Sequence, residues 1–469
     1  MNQELIDYES PCPTFSIAFS PLGSSSLSSN PSSNKSTTSL SSSDPSNLKL
    51  AVGSFIESYS NNNVTIIGVQ PQNYPHHLQS NYDSRYDDST LIGETGSTNL
   101  QFQALAKAPH PYPPTSLSFS PTRLSESLQA SSGNSSQMVR TREMLATSSD
   151  CIRLWDFAHG TIEDNEPNST FLGADNRRQK STGYQLVLRS KMANSKADYS
   201  APLTSFSWSQ LDPSLIVTSS IDTTCTVWDI SSSSAITQLI AHDREVYDVC
   251  WSSASRDIFA SVGADGSVRM FDLRSLDHST ILYEAQTNPT GGKNPGNGRS
   301  GSTSSGVPLS PATLPPASPL LRLKFNPVDP NYIAVSSAVG FEVQVLDVRA
   351  PGVPIIELRA HQAPVNGLAW SGDGNVLGTC GDDSQVLIWD LSSVPNNLGG
   401  GSTATPNRTT TTTTSASPSS MSTSPNTKLI KDPILGYTAP QEVNSITWSE
   451  SFRDWIAIGL GKRIRCLKV

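Results

Sequence analysis

The chain has 469 residues, of which 35% are hydrophobic, and a net charge of −9 spread along its length. Length alone would suggest about three domains, but Ser, Thr, Asn, Pro and Gly crowd into long tracts that bury too little apolar surface to offset their ordering entropy. No basic face offers itself to a nucleic-acid backbone, MNQELIDYES lacks the basic start and apolar run of a secretory signal, and no stretch approaches the roughly 20 apolar residues of a membrane span.

The first strand candidate is Glu4 to Tyr8. SIAF, ending at Phe19, is followed by LAVGSF and VTIIGV. The pattern then returns as SLSF (Phe119), EMLATSS and IRLWDF; as SFSW (Trp208), LIVTSS and CTVWDI; and as DVCW (Trp251), IFASVG and VRMFDL. It continues as RLKF (Phe325), YIAVSS and VQVLDV; as GLAW (Trp370), VLGTCG and VLIWDL; and as SITW (Trp448), WIAIGL and RIRCLKV. Period-two alternation with β-branched and aromatic enrichment predicts strands, with Asp-Gly and Asp-Pro turns between them.

Seven such copies, each with a fourth strand, form a unit near 40–45 residues that resembles the WD repeat. Trp155-Asp156, Trp228-Asp229 and Trp389-Asp390 keep the signature dipeptide, while Phe271-Asp272 and Leu346-Asp347 vary it. The expected fold is all-β, a single seven-bladed WD-repeat β-propeller over 1–469 with disordered low-complexity insertions. One twisted sheet cannot cover both its faces, whereas a closed ring buries each against its neighbours. The last repeat lacks an outer strand, so an N-terminal strand at about 4–8 is expected to close the last blade and remove an exposed edge.

Insertions are expected at about 22–47, 71–98, 122–141, 158–182, 286–317 and 393–430, as loops on the rims. Removing them leaves close to what seven units of about 40 residues need. Ser-Pro pairs at Ser310, Ser318, Ser417 and Ser424 could receive phosphate, about −1.5 to −2 charges each, or could be incidental to Pro-rich linkers.

In the WD-repeat family a His before strand a, a Ser or Thr in strand b, an Asp in the b–c turn and the Trp form a hydrogen-bonded set. Blade six has His361, Thr379, Asp383 and Trp389. Blade four has His242, Ser261 and Asp265, with Phe271 replacing the indole. Blade three has Thr218, Asp222 and Trp228 without the His. These look like a serine–histidine–aspartate site, yet they recur at repeat spacing, so a rigidifying role is expected rather than catalysis. There are seven histidines, and His76-His77 falls in a low-complexity tract. No Gly-x-Ser-x-Gly or His-Glu-x-x-His occurs, and Gly291-Gly292-Lys293 and Gly399 to Gly401 lack the strand–loop–helix context of a phosphate loop. No catalytic, metal or cofactor site is expected. Six cysteines without metal or disulfide spacing fit a reducing cytosol or nucleus, and glycosylation signals at Asn63 and Asn168 read as chance.

LAVGSFIESYSNNNVTIIGVQ, HPYPPTSLSFSP, APLTSFSWSQLDPSLIVTSSIDTTCTVWDI, AHDREVYDVCWSSASRDIFASVGADGSVRMFDLRSLDHSTILYE and the closing IRCLKV resemble the Transparent Testa Glabra family. These are plant anthocyanin and trichome WD-repeat regulators, with an animal counterpart that is an adaptor for dual-specificity tyrosine-regulated kinases. The likeness spans all seven blades, and the low-complexity insertions depart from it. It implies a non-enzymatic scaffold, in cytoplasm and nucleus, a monomer within larger complexes that binds a kinase or MYB and basic helix-loop-helix transcription regulators. No direct nucleic-acid or membrane partner is implied. The alternative role is substrate receptor of a cullin-4 RING ubiquitin ligase, docking its linker protein through the Asp-x-Arg motifs Asp272-Leu273-Arg274 and Asp347-Val348-Arg349. The family motif has Trp before the Asp, where this chain has Phe271 and Leu346, and the arginines could equally pack locally on the rim.

Overall fold

A computed structural model describes residues 5–21, 48–57, 61–71, 100–121, 142–161, 182–193, 201–285, 317–392 and 427–469. These form a seven-bladed β-propeller of antiparallel sheets, with strands a to d running outward from the axis. Blade one comprises Thr14–Phe19, Lys49–Ser54, Asn62–Pro71 and Leu100–His110. Blade two comprises Ser116–Phe119, Arg142–Ser148, Ile152–Thr161 and Thr182–Met192. Blade three is Leu203–Trp208, Leu215–Ser220, Thr224–Asp229 and Ser234–Ile240. Blade four is Val246–Trp251, Ile258–Gly263, Ser267–Asp272 and Ser275–Glu284. Blade five is Leu320–Phe325, Tyr332–Ser337, Val343–Asp347 and Pro354–Leu358. Blade six is Val365–Trp370, Val376–Gly381, Gln385–Asp390 and Leu435–Thr438.

Blade seven is built from both ends of the sequence. Ser445–Trp448, Trp455–Leu460 and Arg463–Lys468 are joined by Leu5–Glu9, whose register runs from Leu5↔Leu467 to Glu9↔Arg463. Arg465 grips Asp7 with two hydrogen bonds of 2.7 and 2.6 Å. It also reaches the Tyr437 hydroxyl of blade six.

Burial explains why the ring is the unit of stability. Among the described residues seven apolar clusters occur, and each draws from two neighbouring blades: Ile17, Leu50 and Phe102 of blade one meet Ile6, Trp455 and Ile464 of blade seven, and the other six junctions follow suit. Strand b is buried along almost its whole length in every blade, as in IAIG of blade seven and FASVG of blade four. Small residues there let the sheets approach closely.

A polar relay runs beside this core at the start of strand a. Ser16 donates to the Pro114 carbonyl, Thr115 to Leu203 and Thr204 to Val246. Asp248 accepts from the Leu323 amide, Arg322 donates to the Asn366 carbonyl, and the Asn366 amide donates to Val443. Thr14 closes the circuit on the Gly461 carbonyl at 3.0 Å. The relay therefore crosses every blade junction. In five blades a register shift at the head of strand a re-aims this position sideways.

The expected insertions at 22–47 and 122–141 lie outside the described residues, and the others do so except at their margins. There the boundaries need correction. The expected loop at 158–182 yields to strand at both ends, because the blade-two hairpin keeps pairing out to Thr161↔Thr182. The loop expected at 393–430 ends early, in a strand Lys428–Ile430 that adds in parallel to the edge of blade five. Unpaired edge amides and carbonyls are a template for an added strand, and Ile356, Glu357 and Leu358 supply it here. Of the Ser-Pro serines only Ser318 is among the described residues; Ser310, Ser417 and Ser424, like His76-His77, Asn168 and Gly291 to Lys293, lie outside them.

Candidate partner-binding site

The candidate residues divide between two faces of the ring. One face carries the d–a loops and b–c turns, and here the hydrogen-bonded sets assemble. In blade six His361 Nε2 lies 2.7 Å from Thr379 Oγ1, His361 Nδ1 lies 2.9 Å from Asp383, and Trp389 Nε1 donates to Thr379 Oγ1 at 3.0 Å. Burial lowers the pKa of His361, opposed by the Asp383 carboxylate. In blade four His242 joins Ser261 at 2.8 Å and Asp265 at 2.9 Å. Phe271, in place of the indole, stacks on Phe259 at 5.1 Å. Burial pushes the Asp265 carboxyl up, but its hydrogen bond to His242, the histidine's charge and the Ser267 contacts outweigh it and hold it far below the usual range. In blade three Trp228 donates to Thr218 at 3.0 Å, while Asp222 caps its own turn through Thr224.

Blade two holds a set that the sequence reading missed. His110 lies 3.1 Å from Thr147, and Trp155 donates to the same hydroxyl at 3.0 Å. Cys151 stands four residues after Thr147, where blades three, four and six place Asp222, Asp265 and Asp383. His110 Nδ1 turns instead to the Tyr112 carbonyl at 2.5 Å. Burial pushes the His110 pKa down to about 4.

Thr147, Ser261 and Thr379 are each 0% exposed. A hydroxyl with no solvent access, already bonded to a histidine, cannot meet a substrate carbonyl; what these sets do is satisfy buried polar groups and hold strands b and c against the d–a loop. Among the described residues no three His, Cys, Asp or Glu side chains gather into a metal site. Cys225, Cys380 and Cys466 are buried in their strands, and burial pushes the Cys225 thiol up to about 12, away from reactivity.

The opposite face carries the a–b and c–d turns, and both Asp-x-Arg motifs sit there at the ends of strand c. Arg274 forks onto Asp272 through Nε at 2.8 Å and Nη2 at 2.5 Å. Its side chain is 65% exposed, and its hydrogen bonds pull Asp272 down to about 2. Arg349 makes the same fork to Asp347 at 2.9 and 2.8 Å. Asp347 is buried while Arg349 lies half exposed, its guanidinium 5.8 Å from the Tyr332 ring centre. The motifs are thus rigid, outward-facing cations pre-set by their own aspartates. Phe271 and Leu346, each preceding its Asp, fill the inter-blade clusters that a tryptophan would fill.

Along the axis runs a channel of about 380 Å³ whose walls come from strand a of every blade, including Arg322, Lys324, Asn366 and Trp448.

This architecture defines a WD-repeat β-propeller, and the family model for "WD domain, G-beta repeat" matches residues 233–272 and 352–390. Over 422 residues the chain is 36% identical to the "DDB1- and CUL4-associated factor 7 homolog" of Dictyostelium discoideum, covering 90% of this chain and 91% of that one. It belongs to the DDB1- and CUL4-associated factor 7 family of WD-repeat proteins. It is also 36% identical over 393 residues to an uncharacterized WD repeat-containing protein of Schizosaccharomyces pombe, covering 81% of this chain and 80% of the other. A WD repeat-containing protein of Saccharomyces cerevisiae is 35% identical over 351 residues, 69% of this chain and 63% of its own length.

Proposed function

We propose that this protein is a non-enzymatic adaptor, working in cytoplasm and nucleus, that assembles other proteins. Its clients would be a dual-specificity tyrosine-regulated-type kinase or transcription regulators of the MYB and basic helix-loop-helix types. The observation that carries this reading is the fate of the His–Ser/Thr–Asp sets: all are consumed inside the sheets, while the turns of both faces remain presented by a closed ring. Such a body holds two clients at fixed separation and raises their effective concentration. The resemblance to the Transparent Testa Glabra regulators and their kinase-binding animal counterpart supplies the client classes. Affinity purification of the full chain from native cells tests this. Recovery of a kinase or transcription regulator well above background is expected, and recovery of neither overturns it.

A second reading is substrate receptor of a cullin-4 ligase. It is favoured by the name of the Dictyostelium relative, a DDB1- and CUL4-associated factor 7 homolog, and by two forked arginines on one face. Replacing Arg274 and Arg349 together with Ala is expected to abolish binding to the ligase linker protein; unchanged binding dismisses the reading.

A further inference from the structure

On the face that carries Arg274 and Arg349, blades five and six leave a cavity of about 260 Å³ between them. Its inner wall is apolar and aromatic, with Tyr332 and Ile356 from blade five and Trp370 and Leu391 from blade six. Its rim carries two carboxylates, Asp329 and Asp373, one from each a–b turn. Both turns are held in place across the junction, because the Asn326 side-chain amide donates to the Gly374 carbonyl at 2.7 Å.

Among the described residues, only neutral groups hydrogen-bond these two carboxylates. Asp329 accepts from the Asn331 amide and side chain, and Asp373 accepts from Ser371 and from the amide and side chain of Asn375. All of these donors are neutral. Among the described residues neither carboxylate has a lysine, arginine or histidine within ion-pair distance, whereas Asp7, Asp150, Asp265, Asp272 and Asp347 all do. The cavity is smaller than the roughly 300–1,000 Å³ of small-molecule sites, yet it accommodates one long side chain. An apolar, aromatic wall suits the methylenes and planar cation of arginine, and two carboxylates lining the same cavity suit its positive charge. Tyr332 already carries one guanidinium, that of Arg349.

We propose that this cavity is a binding site for an arginine side chain presented by a protein partner, entering between the two a–b turns, with its guanidinium at Asp329 and Asp373 and its stem against Trp370 and Leu391. The proposal goes beyond the adaptor reading by naming what one partner must offer, and it requires neither a kinase nor a ligase component.

The test uses the full chain labelled with 5-fluorotryptophan, the Trp370 resonance being assigned from its loss in Trp370→Phe. The probe is N-acetylarginine methylamide, with its uncharged isostere N-acetylcitrulline methylamide as control. Saturable movement of the Trp370 signal by the arginine compound is expected, with little or none from citrulline. The D329N/D373N variant is expected to weaken that response by about tenfold or more while keeping the wild-type melting temperature. No response to arginine, an equal response to citrulline, or an unweakened response in the double variant overturns the site. Because the probe is a free amino-acid derivative, failure here leaves the adaptor reading standing, and failure to recover clients from cells leaves this site standing.

Discussion

The N-terminal strand gives the sharpest test of how the ring is held shut, because two adjacent side chains on it face opposite ways. Ile6 is 3% exposed and packs in the cluster shared by blades one and seven, whereas Leu5 is 41% exposed. Ile6→Ala removes three buried carbons at roughly 0.8 kcal/mol each, and the cavity left behind raises the loss to about 3 kcal/mol, within the usual 2–5 kcal/mol for such truncations. Leu5→Ala removes as many carbons from a side chain already in water and is expected to cost well under 1 kcal/mol. Domains of about 150–250 residues lose roughly 2–4 °C per kcal/mol, so Ile6→Ala should lower Tm by about 6–12 °C and Leu5→Ala by about 1 °C. A calorimetric or far-ultraviolet melt of the two variants decides it. Equal small shifts would mean that the strand frays independently, and the claim that it belongs to the cooperative ring would fail.

Thr379→Val keeps shape but removes the hydroxyl shared by His361 and Trp389; leaving two buried nitrogens unpaired should cost about 2–3 kcal/mol in urea titration. The buried pair Lys49–Glu143, joined by Ser20, bridges blades one and two. Lys49→Met alone should cost about 3–5 kcal/mol, whereas Lys49→Met with Glu143→Leu should recover most of it in a double-mutant cycle. His110 is 1% exposed, and burial holds its pKa in the folded chain at about 4, below the ordinary 6.5. Between those values the unfolded chain binds the extra proton, so stability is full above pH 6.5 and falls by about 3 kcal/mol as pH drops to 4. His110→Asn should flatten that decline in melts run between pH 7 and 4. Arg349→Ala should cost about 1 kcal/mol, since buried Asp347 loses its fork, while the more exposed Arg274→Ala should leave the melt unchanged, which makes it the cleaner probe in linker-binding assays.

The seven-blade ring was legible because each blade repeats its own small-residue strand b and aromatic strand ends, a signal that survives the interruptions. The pairing of Leu5–Glu9 with the last strand was inferable because one outer strand was missing and one candidate was spare. What escaped was whatever depended on spacing. His361 precedes Thr379 by 18 residues and His242 precedes Ser261 by 19, but His110 precedes Thr147 by 37, because a tract intervenes between strands a and b of blade two. The added strand Lys428–Ile430 escaped for another reason: three residues carry no periodicity, and its partner is an edge in a different blade. The forks of Arg274 and Arg349 were present as Asp-x-Arg, but that spacing allows an outstretched arginine as readily as one folded back on its own aspartate. The relay at the head of strand a was invisible because Ser, Thr, Asp, Arg and Asn all serve it, so it has geometry without a motif.

The pairing of Leu5 with Leu467 also has a mechanical meaning. Polypeptide attached before the first strand and after the last would leave the disc side by side. Tension between two such attachments would load the five rungs from Leu5 to Glu9 one at a time, as a zip rather than a shear. A tether pulled from both ends would therefore open the seventh blade first, with Arg465 and Asp7 as the middle tooth, before any other blade felt the strain.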